Sequence, residues 1–287
     1  MTDTSTTLEY SSDDPRARWH LLTQAERDAA YDNNAAVSNS ATLISARNEA
    51  SAKPRAICTA ALDVPYGTRE RMKLDLYPGK SSEAPCLVFV HGGYWQRNSR
   101  EAFAMLAEGM AAHGWSVAIP GYSLAPEVAL TEIVREILLS LDWLGDHGAS
   151  FGIAGPVVLS GWSAGAHLTA LALAHPVVTA GLAVSGIYDL APLRETSLNV
   201  ALKLTKEEIV TLSPLRLPIV KKPLAIAYGS SELPALVYDS KHFHAARMAA
   251  GAPGELIAIE GADHFTILDE LRRPGGALVK LARELVA

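Results

Sequence analysis

Residues 157–168 read Val-Val-Leu-Ser-Gly-Trp-Ser-Ala-Gly-Ala-His-Leu. An apolar run, Val157–Ser160, ends in the string Gly161-Trp162-Ser163-Ala164-Gly165, and a helical pattern over Ala164–Ala174 opens directly behind it. A GxSxG string becomes informative in this setting, because the glycines permit a tight strand-to-helix turn that leaves the serine exposed at a strained corner. Ser163 is therefore expected at the head of a sheet, at a helix N-terminus whose free N–H groups and partial positive charge suit a forming oxyanion. The stretch reads as a nucleophile elbow, and it sets what the rest of the chain must supply.

Working outward, Cys86–Val90, Trp115–Ile119, Leu182–Ser185, Leu224–Tyr228 and Leu256–Ile259 join Val157–Ser160 as apolar runs typical of strands covered on both faces. Helical patterns at Ser99–His113, Val128–Gly145, Ala164–Ala174, Leu236–Ala250 and Leu278–Val286 lie between or after them. Alternating strands and helices predict right-handed crossovers and a mostly parallel, doubly wound α/β sheet. Ile57–Val64 and Met72–Tyr77, separated by Pro65-Tyr66-Gly67, read as an N-terminal antiparallel hairpin. Residues 1–50 are polar, with one helical stretch at Leu21–Tyr31, and are expected to form an extension that is part of a small cap over residues 51–287. A second piece of that cap is expected near 188–220, where Tyr188–Val220 interrupts the rhythm at the carboxyl edge of the sheet, the ligand-binding edge of such folds.

A serine needs a base, and the order nucleophile, acid, histidine directs the search downstream. Of nine histidines, His264 in Gly261-Ala262-Asp263-His264-Phe265 follows the last strand and reaches the same edge. His167 is expected to pack beneath the elbow; His242 and His244, two apart on a helix, face different ways and make a poor metal pair. Glu232, after the penultimate strand, is the expected acid, with Asp189 as its rival. His91-Gly92-Gly93-Tyr94-Trp95 follows the first parallel strand, so the Gly93, Tyr94 and Ala164 N–H groups are expected to form an oxyanion hole. Trp95, Trp162 and Tyr188 lie at strand ends and are expected to line the substrate pocket.

The 287 residues carry a formal charge of −6, with 49% hydrophobic and 20% charged residues, which excludes a disordered or fibrous chain and predicts one large core. Lys and Arg are scattered, so nucleic acid is not an expected partner. The N-terminus MTDTSTTLEYSSDD lacks the pattern of a secretory signal and no apolar stretch is long enough to span a bilayer, which predicts a cytoplasmic protein without a membrane partner. Cys58 and Cys86 have no CxxC spacing and read as buried thiols. No HExxH or comparable spacing points to a metal, and no cofactor is expected. A homodimer is compatible with the sequence.

HGGYW at 91–95, GYSLAPE at 121–127, GWSAGAHL at 161–168, SGIYDL at 185–190, GSSELP at 229–234 and GADHF at 261–265 together resemble the α/β-hydrolase superfamily. Within it the chain resembles the kynurenine formamidase (arylformamidase) branch, next to the hormone-sensitive-lipase-type esterases, and ERDAAYDNNAAVSNS at 26–40 looks like the N-terminal segment of bacterial formamidase-like hydrolases. The resemblance implies a triad of Ser163, Glu232 and His264 with Gly93, Tyr94 and Ala164 as oxyanion donors, acting on small carboxylic esters or aryl formamides through an acyl-enzyme. Where typical formamidases carry Asp-Ser-Pro this chain has Glu232-Leu233-Pro234, and the longer Glu can still orient a histidine. The reading from another class, a small-molecule-binding protein on the same scaffold, would normally lack a triad member.

Overall fold

The computed structural model describes residues 18–57 and 61–287. Eight strands form one sheet: β1 (Ala61–Pro65), β2 (Lys73–Tyr77), β3 (Cys86–Val90), β4 (Ser116–Pro120), β5 (Val157–Trp162), β6 (Val178–Val184), β7 (Leu224–Gly229) and β8 (Leu256–Ile259). Their order is β1-β2-β4-β3-β5-β6-β7-β8; β1 and β2 pair antiparallel, β2 joins β4 antiparallel, and β3 to β8 run parallel. This is the α/β-hydrolase arrangement that the resemblance implies, with the expected hairpin at its N-terminal edge.

Alternation along the strands splits the core in two, because successive side chains leave a strand on opposite faces. Val88 and Val90 of β3 join one apolar cluster with α5 (Leu130–His147), α6 (Ala164–Ala172) and α9 (Pro234–Ala249). Leu87 and Phe89 join the other, with residues 100–106, α4 (Ala107–Ala111), α10 (Asp269–Arg272) and α11 (Ala277–Glu284). The chain leaves β3 toward β4 on one side and then crosses to β5 on the other, so β3 and β5 flank the point where the winding reverses, with Val90 opposite Gly161. Both sequence motifs, HGG after β3 and the GWS string that ends β5 and leads into α6, thus emerge side by side at the carboxyl edge.

The N-terminal segment departs from expectation. It holds α1 (Gln24–Ala29), α2 (Asn33–Ala36) and an 18-residue helix, α3 (Ser40–Ile57), that the polar sequence did not suggest. Ile57, expected to open a strand, instead closes α3, and β1 begins at Ala61. Cys58 and the MTDTSTTLEYSSDD stretch lie outside the described residues; Cys86 is a buried free thiol, pushed up to about 12 by burial. The 188–220 stretch contains α7 (Asn199–Leu202) and α8 (Lys206–Leu212), and it touches the N-terminal segment: Ser197 N–H donates to Asp28 at 2.6 Å and Arg27 pairs with Glu195 at 2.8 Å. No helix of the described residues is long and apolar enough to cross a membrane.

Candidate active site

Ser163 sits at the junction of β5 and α6 with φ 59° and ψ −119°, a backbone setting that costs an L-residue on the order of 1–3 kcal/mol. Its N–H donates to Val184 O at 2.8 Å, and its carbonyl accepts from Ala166 and His167, so the strain is held by the sheet on one side and the helix on the other. The hydroxyl does not cap α6. The turn also depends on its glycines: a Cβ at Gly92 would lie 2.5 Å from Trp162 O and 2.9 Å from Ser163 Cβ, so the HGG loop can rest against the elbow only without a side chain.

His264 is aimed by a local turn in which Asp263 Oδ1 accepts the N–H groups of Phe265 and Thr266, both at 2.8 Å. Its carbonyl accepts Trp162 Nε1–H at 2.8 Å, which ties the histidine loop to the residue before Ser163. His264 Nδ1 lies 3.1 Å from Glu232 Oε2, and both residues are buried. Glu232 Oε1 accepts Ser185 Oγ at 2.5 Å and Gly229 N–H at 2.9 Å, leaving Oε2 for the imidazole. A carboxylate held this way keeps the proton of neutral His264 on Nδ1 and leaves Nε2 as the basic nitrogen.

The rival Asp189 is engaged elsewhere: its Oδ1 accepts Arg216 Nε at 3.0 Å and Ala191 N–H at 3.2 Å. His167 packs under the elbow, donating Nε2–H to Leu212 O at 2.7 Å, and burial lowers its pKa to about 4. His91, stacked on Tyr122 with its Nδ1–H on Gly92 O, is lowered by burial to about 3. Both stay neutral at ordinary pH and order the loops around them.

After β3 the backbone takes positive φ at Gly93, Tyr94 and Trp95 in succession, a sharp bend in which Gly92 O is fixed by Asn98 Nδ2–H at 3.0 Å. Among the described residues the N–H groups of Gly93, Tyr94 and Ala164 donate to no protein acceptor.

Ser163, His264, Gly93, Tyr94 and Trp162 all border one cavity of about 490 Å³. Two expected pocket rings are not among its lining residues. Trp95 is fully buried with its ring edge-on to His167, and Tyr188 is fully buried with its ring stacked 4.3 Å from Phe243; both rings pack in the core beneath the edge. Much of the remaining wall comes from the N-terminal segment, including Asp28, Tyr31, Asn33 and Arg47. Tyr94 links the two parts, since its hydroxyl donates to Tyr31 O at 2.6 Å and accepts from Asn33 Nδ2 at 3.0 Å. No group of three or more His, Cys, Asp or Glu side chains among the described residues could hold a metal ion.

Residues 73–179 match the BD-FAE family. A kynurenine formamidase of Danio rerio is 30% identical over 260 residues, 85% of this chain and 87% of its own length. An isoprenylcysteine alpha-carbonyl methylesterase of Arabidopsis thaliana is 27% identical over 244 residues, 72% of this chain and 57% of its own. The crystal structure of a candidate thioesterase from Silicibacter sp. TM1040 superposes with a TM-score of 0.81 at 29% identity, across 90% of this chain and 99% of that one.

Proposed function

Because the chain belongs to the kynurenine formamidase family, we propose that it is a serine hydrolase that cleaves aryl formamides or small carboxylic esters through an acyl-enzyme. The observation that carries this reading is the Glu232–His264 pair, buried and fixed at the border of the cavity that Ser163 also lines. In the proposed cycle His264 Nε2 takes the Ser163 hydroxyl proton as Oγ attacks the substrate carbonyl, forming a tetrahedral intermediate. The free N–H groups of Gly93, Tyr94 and Ala164 bind its oxyanion, and Glu232 stabilises the imidazolium. His264 then gives the proton to the departing amine or alcohol, and water repeats the sequence on the acyl group.

The same reading makes the described part of the 1–50 extension, residues 18–50, and the 188–220 insertion a shared cap, supported by their contacts and by the cavity wall they contribute. That wall carries Asp28, Asn33 and Arg47, polar groups that a long acyl chain would desolvate without return, so small acyl groups fit better. The test is a substrate panel run with wild-type protein and Ser163→Ala. Turnover of N-formylkynurenine and p-nitrophenyl acetate, both abolished in the variant, is the expected result. Ester cleavage without formamidase activity would move the substrate class to esters, and binding without turnover in the wild type would overturn the reading.

A further inference from the structure

We propose that the Tyr94 side chain is a strut through which the docked N-terminal segment holds the oxyanion donors in place, so that full activity requires that segment to be seated. The proposal rests on the hydrolase reading above, and it makes the Tyr94 phenol a positioning group, separate from the role of its backbone N–H.

Three successive residues carry the bend after β3, and each is held by a different part of the molecule. Gly93, at φ 120°, adopts its backbone setting without a side-chain penalty, and its carbonyl accepts the Gln96 and Arg97 N–H groups, both at 3.0 Å. Trp95, at φ 58°, is held from the core: its fully buried ring stands edge-on to His167, and its carbonyl accepts Ala125 N–H at 2.8 Å. Tyr94 lies between them at φ 50°, a left-handed setting that disfavours a bulky L-residue. Among the described residues no group of the sheet bonds its N–H or its hydroxyl; the hydroxyl is taken entirely by the N-terminal segment.

The bonds at that hydroxyl can run in one direction only. Tyr31 O can only accept, so the phenol proton points there at 2.6 Å, and Asn33 Nδ2–H donates to the phenol oxygen at 3.0 Å. Burial raises the Tyr94 pKa above the ordinary phenol range, so the proton stays in place. Tyr31 and Asn33 are buried too, which keeps water from replacing either partner. Tyr31 joins α1 to α2, and α1 is clasped by the 188–220 insertion through Gln24 on Glu195 O at 2.9 Å and Asp28 on Ser197 N–H. The same insertion ties the far end of the bend, where Gln96 Nε2–H donates to Leu198 O at 3.0 Å. One run of contacts thus joins the cap to the backbone that presents two oxyanion donors. The segment that encloses the cavity also steadies the bend, which couples closure to readiness for reaction.

The experiment compares wild-type protein with Tyr94→Phe, Asn33→Ala and the double variant, with p-nitrophenyl acetate as substrate. Tyr94→Phe keeps the ring and the backbone N–H and removes only the two phenol bonds. Its kcat is expected to fall about 10-fold with KM within about threefold, less than the roughly 10²- to 10³-fold loss of an oxyanion donor deleted outright, because the donor remains but is less often in place. Asn33→Ala is expected to lose less, and the double variant no more than Tyr94→Phe, since both act through one hydroxyl. Two matched ketones separate positioning from general structure. Affinity for 2,2,2-trifluoroacetophenone, whose serine adduct carries an oxyanion, should drop about 10-fold in Tyr94→Phe, while affinity for acetophenone, which forms no such adduct, should stay within about twofold. Equal weakening of both ketones, a kcat within about twofold of wild type, or additive losses in the double variant would overturn the strut. Amide hydrogen exchange keeps this proposal apart from the hydrolase reading. Whether or not the ester is cleaved, the Gln96 and Arg97 N–H groups that close the bend should exchange about 10-fold faster in Tyr94→Phe, and unchanged rates would also overturn it.

Discussion

Two walls meet at the cavity, and they are held in place by different means. At the carboxyl edge of the sheet, Ser163, Glu232 and His264 leave strand ends and are fixed by backbone strain and by bonds from neighbouring strand-end loops. Across the N-terminal helices, Tyr31, Asn33 and Arg47 are fixed by polar side-chain bonds reaching over to Tyr94 and Asn98. The difference separates two jobs. A rigid edge serves a reaction whose geometry does not change with substrate, while a docked segment can set which substrate is held.

The largest effect should come from the edge. Ser163→Ala is expected to lower turnover of every substrate by on the order of 10⁶ and to abolish labelling by an organophosphonate, read by intact mass. Glu232→Gln keeps the shape but favours the wrong imidazole tautomer, so kcat should fall about 10⁴-fold. Asp189→Asn should leave kcat within about tenfold while lowering the melting temperature, because it weakens the Arg216 pair. The reverse ranking of these two variants would exchange their roles.

Substitutions in the other wall should discriminate among substrates. The polar wall predicts p-nitrophenyl acetate and butyrate cleaved at least about 100-fold faster than the palmitate, as one apolar methylene contributes about 0.8 kcal/mol only where apolar surface receives it. Asn33→Ala, which removes one neutral bond to the Tyr94 hydroxyl, should reduce kcat/KM only several-fold, in keeping with about 1 kcal/mol for such a bond. A loss as large as that of Glu232→Gln would erase the distinction between the walls.

The last effect concerns stability alone. His91 and His167 stay neutral when folded down to about 3 and 4, whereas unfolded imidazoles gain protons near 6.5. The unfolded chain therefore binds more protons below that value, so their contribution is fully present above pH 6.5 and is lost as pH falls toward 4 and 3. At pH 5 the loss is up to about 2 kcal/mol for each. His167→Gln, which can keep the bond to Leu212 O, should flatten the fall of melting temperature between pH 6.5 and 4.

The sheet edge was readable because its signals are local. β3 and β8 have the limits that their apolar runs suggest, and GWSAG, GADHF and GSSEL stand at strand ends where backbone constraints leave little choice of residue. β6 begins at Val178, four residues before the apolar run beginning at Leu182, because Thr179 and Gly181 interrupt the pattern inside a paired strand. The N-terminal wall was not readable for a physical reason: α3 is seated by Arg47, Ser51 and Arg55 on Asn98, Ala102 and Asp75, and a helix held by polar contacts shows no apolar stripe. Trp95 and Tyr188 were misplaced because a large ring at a strand end can fill either the core or a pocket, and here the rings of His167 and Phe243 receive them in the core.

The bond from Gln24 to Glu195 joins positions 171 residues apart, so one wall of the cavity is made first on the ribosome and gains its partner only after most of the sheet has emerged. Closing so long a loop is entropically expensive until the sheet has already brought the ends near. The docking of the first helices is thus expected late in folding, and their release early in unfolding. Amide hydrogens of α1 and α2 should exchange well before those of β3 and β5, in a partial opening that uncovers Ser163 while the sheet stays intact.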